Sequence, residues 1–131
     1  MTSALVDVMN QRAEALKSRT AAWAQAVIKL CDKAPNVPAA RKITEQLLAS
    51  ATSVAANYRA ACRARSRREF VAKIGLVVEE ADESYGWLKL LTDSDLLPAK
   101  TVDPILKEAD ELTAIFAASY RTAKRNLDRP K

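Results

Sequence analysis

Two glycines, Gly75 and Gly86, in a chain of 131 residues are the feature that most restricts how this sequence can fold. Hairpins, sandwiches and barrels turn through positions of positive φ, which glycine supplies at the lowest steric cost. So few glycines, set among plentiful Ala, Leu, Lys, Arg and Glu, suit long helices joined by a few connections. The expected fold class is all-α. Hydrophobic residues at 49% and charged residues at 28% fit a packed globule rather than a disordered chain. The length suits one domain, residues 1–131, around one core. No apolar run of about 18 residues occurs, and Met1 to Asn10 lacks the charged-then-apolar order of a secretory leader, so a cytoplasmic protein is expected.

Apolar spacing divides the chain into four amphipathic segments. Leu5, Val8, Met9, Leu16, Trp23, Val27 and Leu30 recur at helical intervals, which predicts a first helix over about residues 4–34. Pro35 and Pro38 then stop it, since each lacks an N–H and restricts the residue before it. A second helix, about 38–63, has the seam Ile43, Leu47, Ala51, Val54, Tyr58 and Ala61. Its run Ala49-Ser50-Ala51-Thr52-Ser53 is small enough for a neighbouring helix to approach closely. Ser66-Arg67-Arg68-Glu69 matches the S-x-x-E capping box, opening a third helix over about 66–91 with the stripe Phe70, Ile74, Val77, Val78, Ala81, Tyr85, Leu88 and Leu91. Thr92 to Pro98 reads as a loop. A fourth helix, about 102–127, opens with Asp103 as cap and Pro104 in the first turn, and buries Ile105, Ala109, Leu112, Phe116, Tyr120, Ala123 and Leu127. Long helices with short connections predict an up-down-up-down antiparallel four-helix bundle.

Histidine is absent, which removes the usual general base near neutral pH and the commonest transition-metal ligand. The acidic run Glu79-Glu80-Ala81-Asp82-Glu83 cannot form a di-iron carboxylate centre without the Glu-x-x-His motifs that such a centre needs. No phosphate-cradling glycine loop, paired-cysteine zinc site or nucleophile-plus-base pattern is present, so neither an enzyme nor a cofactor is expected. Cys31 and Cys62 fall near opposite ends of adjacent helices and are expected as free thiols, each serving as a small buried hydrophobe.

The charges become informative once the helices are laid antiparallel. The end of the second helix, the start of the third and the end of the fourth then share one pole. Residues 59–73 and 121–131 together hold eleven cations and two acids, a net charge of +9 in a chain whose total is +5. Arg63, Lys124 and Arg125 sit in last helical turns, where cations complement the backbone dipole. Arg67 and Arg68 sit in a first turn, where the dipole disfavours them, and Arg65 lies in the connection before it. With Arg59 and Arg121 these residues form a candidate surface for RNA, DNA or another polyanion. Two other readings stay open, namely ion pairs with carboxylates of a neighbouring subunit and a merely solvated pole. A separate feature concerns the third helix, where Leu76, Trp87 and Leu90 fall opposite the core stripe and form a candidate subunit interface.

The run from Ser53 to Phe70, SVAANYRAACRARSRREF, followed by Glu79-Glu80-Ala81-Asp82-Glu83 and Trp87-Leu88, resembles the bacterial four helix bundle protein family. Members of that family include proteins encoded by intervening sequences of large-subunit ribosomal RNA genes. The resemblance spans about residues 18–127 and is most specific from Asn57 to Phe70. Many members carry Pro at the position of Ala55 and Glu-Gly at Ala60-Ala61, so this chain resembles a variant branch whose second helix continues unbroken. The resemblance implies a homo-oligomeric ring, commonly a homopentamer, with no enzymatic activity and a loosely defined role. The chain is more distantly similar to the basic pentameric accessory protein of diversity-generating retroelements, which partners a reverse transcriptase and nucleic acid.

Overall fold

The structure is a computed structural model that describes residues 3–129. It contains α1 (Ser3–Cys31), α2 (Pro38–Cys62), α3 (Arg67–Asp93) and α4 (Ala99–Asp128). Each helix packs on two others: α1 and α3 both contact α2 and α4, which closes a four-sided antiparallel bundle. Among the described residues there is no strand, and no helix is long and apolar enough to cross a membrane.

The short connections follow from local backbone chemistry. Val37 precedes a proline and is extended at φ −126°, ψ 153°, and Pro38 takes the first position of α2, where its missing N–H costs no hydrogen bond. Before α3, Ser66 Oγ accepts from the Glu69 N–H at 3.0 Å, and the Glu69 carboxylate reaches back to the Arg65 N–H at 3.2 Å, as the capping-box spacing predicts. The turn after α3 shows how a glycine-poor chain ends a helix. Asp95 takes the left-handed conformation, φ 57°, while the Asp95 N–H donates to Thr92 O at 3.0 Å and the Leu96 N–H to Leu91 O at 2.9 Å. This is a Schellman closure with Asp where glycine is usual.

The start of α4 differs from expectation. The helix begins at Ala99 with Pro98 before it, so Asp103 caps nothing and Pro104 lies inside the helix. The Thr101 and Val102 amides already donate to Pro98 O, which starts the helix before Asp103 is reached. At the other connection, α1 stops at Cys31, short of residue 34, because the Lys33 and Ala34 amides make turn bonds to Leu30 and Cys31.

The core runs through Trp23, Val27, Leu30, Leu47, Val54, Ile74, Leu88, Leu112 and Phe116. Every residue of the α2 seam is buried. The small run of α2 meets α3 at Ser84, whose hydroxyl donates to Ser50 Oγ at 2.8 Å while Ser50 donates to Leu47 O at 3.2 Å. Tyr58 and Phe116 stack in a tilted pair with ring centroids 5.3 Å apart. Between α1 and α4, the Trp23 indole N–H donates to Ile105 O at 3.1 Å, and Arg19 forks onto Glu108 at 2.7 and 2.6 Å and reaches Glu111 at 2.7 Å.

The first half of α1 departs from the pattern. Val8 and Met9, expected in the core, are 42% and 51% exposed, and the Leu5 side chain lies outside the described residues. Periodicity places them on the right face of α1, but the other helices do not meet that face until Leu16. On α4, Ile105, Tyr120, Ala123 and Leu127 are only half-buried, as are Phe70, Val78 and Tyr85 on α3.

The hydrogen bond from Arg19 holds the Glu108 carboxyl below its ordinary range. Its stabilising effect is therefore full above the ordinary carboxylate pKa and lost as pH falls through the lower folded value. Arg19→Gln is expected to cost under about 1 kcal/mol at neutral pH, because the pair is partly exposed. Urea unfolding should show the difference between variant and wild type shrinking as pH falls below the ordinary carboxylate range.

Candidate nucleic-acid interface

The α2–α3 connection is only four residues long, from Arg63 to Ser66, so the last turn of one helix and the first turn of the next lie side by side. The end of α4 returns to the same place. Ser66, Arg67 and Arg68 line one depression together with Asn126, Leu127 and Arg129, with a volume of about 490 Å³. The juxtaposition expected from an antiparallel plan is thus present in three dimensions. Arg59, Arg63, Arg65, Arg67, Arg68, Arg121, Lys124 and Arg125 are all exposed. Among the described residues none of the eight forms an ion pair, the pairs present being Lys17–Glu14, Arg19–Glu108, Arg19–Glu111 and Lys89–Asp93. Lys124 Nζ stands 5.9 Å from the centre of the Tyr120 ring. That ring in turn packs on the bare backbone of Gly75, where a Cβ would lie 3.2 Å from Tyr120 Cε2.

Beside this pole lies a groove that the sequence pattern did not reveal. It occupies about 1080 Å³ between the first half of α1 and the ends of α2, α3 and α4. Met9, Leu16, Tyr58, Phe70 and Ile115 supply apolar walls, Arg12, Arg65 and Arg67 supply cations, and among the described residues no carboxylate contributes to the lining. It exists because α1 packs on the bundle only from about Leu16 onward, leaving the apolar side chains beneath its first turns uncovered. Nothing in the periodicity of α1 marks it, because Val8, Met9 and Leu16 carry the same apolar spacing as the buried residues further along the helix.

Cys62 is on the groove wall and exposed, which corrects its expected role as a buried hydrophobe: the last turn of α2 faces the gap under α1. Cys31 is half-buried, and burial, helped by Asp32, pushes its thiol up to about 11. The hydroxyl of Tyr58 is likewise pushed up, chiefly by burial and then by Cys62.

The candidate interface on α3 is mixed. Leu76 and Leu90 are exposed at 42% and 41%. Trp87 is half-buried, packs against the core cluster and donates its indole N–H to Glu83 Oε1 at 3.3 Å, so it has partners within its own chain that an outward-facing stripe did not predict. The ring reaches inward from the flank of α3. Around Gly86 the same face carries a shallow depression of about 500 Å³ bounded by Trp87, Leu90 and Glu83, and a Cβ on Gly86 would meet nothing within 4 Å. Glu80 is pushed up by partial burial and by the adjacent charges of Glu83 and Glu79. Among the described residues no group of three or more metal-ligating side chains is assembled.

The sequence model of the 23S rRNA-intervening sequence protein family matches residues 15–118. This chain belongs to that family. A similar fold is seen in a crystal structure at 1.70 Å resolution of a protein of unknown function from the S23 ribosomal protein family of Bacteroides thetaiotaomicron. The two superpose with a TM-score of 0.74 at 25% identity, over 83% of this chain and 97% of that one. Neither description names an enzyme. A search among curated proteins finds no match.

The two thiols differ enough to be told apart chemically. A maleimide at about pH 8 is expected to modify Cys62 and to leave Cys31 largely unreacted, since thiolate is the attacking species. Peptide mapping after a short exposure checks this.

Proposed function

We propose that the protein is a non-enzymatic, oligomeric four-helix bundle that binds RNA or DNA through its arginine pole. The observation that carries this reading is the eight exposed cations without a carboxylate partner among the described residues. Two of them, Arg67 and Arg68, occupy the first turn of α3, where the helix dipole opposes positive charge. Keeping guanidinium groups at an unfavourable position with no internal compensation is consistent with compensation by an external anion. Phosphates in series fit such a surface, because each contact releases a condensed counterion and several together give useful affinity. RNA and DNA share the phosphate spacing such a surface needs, and mixed-sequence RNA is the first ligand to test.

Assembly has its own support on α3. Glycine in mid-helix costs roughly 0.5–1 kcal/mol relative to alanine, yet none of the described residues comes within 4 Å of a Cβ placed on Gly86. With Leu76 and Leu90 exposed on the same side, Gly86 supports close approach by a second copy, and a ring such as the pentamer implied by the family resemblance would set several poles side by side. An alternative is a protein-interaction scaffold in which Glu79, Glu80 or Glu83 of one subunit pairs with pole arginines of the next.

Charge reversal separates these possibilities. Arg63→Glu with Arg68→Glu is expected to weaken binding to mixed-sequence RNA, to reduce the slope of log affinity against log salt, and to leave particle mass unchanged. A fall in mass, together with wild-type protein that ignores RNA even at low salt, would instead favour intersubunit pairing. For the α3 face, Gly86→Leu has room within its own chain and should raise helix stability while lowering the mass seen by light scattering. An unchanged mass would exclude this face as the interface.

A further inference from the structure

We infer that the groove under the first half of α1 receives an unstacked nucleobase, so that the protein selects single-stranded or looped nucleic acid over a duplex. The inference rests on the polyanion reading of the pole and adds to it a ligand class that charge alone does not specify.

Three features lead to it. First, the groove is lined by apolar side chains and by exposed cations together. Phe70, which the sequence pattern assigns to the core, is only half-buried and forms part of the wall. Arg12, Arg65 and Arg67 also line it, and none of the described lining residues is an acid. Second, Asn126 on α4 brings an exposed amide, able both to donate to and to accept from a base edge. Third, the groove does not end in neutral surface. Ser66, Arg67 and Asn126 also border the neighbouring basic depression that holds Arg68 and Arg129. An isolated anionic head group needs one cluster of cations, whereas a strand needs a cationic track that continues past the pocket, and this surface provides the track.

A duplex can use that track through its phosphates but keeps its bases stacked inside, so the apolar groove stays empty. A single strand can turn one base into the groove against the Phe70 ring while Arg65 and Arg67 take the flanking phosphates. Stacking on an aromatic side chain is tolerant of sequence, so the preference is expected to be for unpaired structure rather than for a particular base.

The test compares a short oligouridine, a duplex of equal length and an abasic phosphodiester strand, all at one salt concentration, with the full chain. Wild-type protein is expected to bind oligouridine more tightly than either of the others. Phe70→Ala should lose about tenfold for the single strand and leave duplex affinity and its salt slope unchanged, with Phe70→Leu as a variant that preserves apolar packing. Because Phe70 also touches the core, a second readout uses wild-type protein. Oligouridine should protect Cys62 from maleimide, and the abasic strand should not. Equal affinity for all three ligands with Cys62 unprotected would overturn the groove inference while leaving the pole reading intact. Absence of binding by any of them at low salt would overturn both.

Discussion

The close contact between α2 and α3 is the interaction on which the remaining geometry depends. Ser50 and Ala51 on one helix and Ala81 and Ser84 on the other are all buried, and their small size lets the backbones approach until two hydroxyls lie 2.8 Å apart. Each hydroxyl is satisfied, Ser50 by the Leu47 carbonyl and Ser84 by Ser50 or the Glu80 carbonyl, so the approach leaves neither of them unpaired. With these two helices fixed together and joined by only Arg63 to Ser66, the arginines of the connection are held at one end of the bundle. They cannot spread along its side, and the end of α4 adds its own cations to that end.

The helix α1 is held less evenly. Its second half is anchored by buried Trp23, Val27 and Leu30 and by the Arg19 fork onto α4. Its first half has no equivalent anchor, and Val8 and Met9 remain exposed. The result is a groove beside the pole, with apolar walls that a fully packed fourth side would have covered. Core and candidate site therefore share one cause: the same helix that completes the bundle at one end leaves it open at the other, where the cations gather.

Charge distribution on α3 mirrors this polarity. Its first turn carries Arg67 and Arg68, whereas its middle carries Glu79, Glu80 and Glu83, where partial burial and then the charges of Glu83 and Glu79 push Glu80 up. Neither group is neutralised within the chain among the described residues. A helix with separated, uncompensated charge of both signs is suited to contacts between molecules, whether with phosphates at one end or with another copy along its outer face.

Much of this was legible in the sequence. Scarcity of glycine and four runs of apolar spacing determined the helices. The capping box at Ser66 fixed the start of α3 to within one residue, and the α2 seam was read without error, because both signals are local and depend only on side chains a few residues apart. The collection of arginines at one pole followed once short connections forced antiparallel neighbours. What only the tertiary structure decided was which face of each helix finds a partner. Helical periodicity marks Val8 and Met9 as apolar-face residues and Phe70 as core, but it carries no information about how far along α1 the other helices make contact. Nor could it show that Trp87 reaches inward or that the space above Gly86 is empty, since both depend on helix rotation and on the distance between axes. Burial is a property of two surfaces, and a sequence read alone describes one of them at a time.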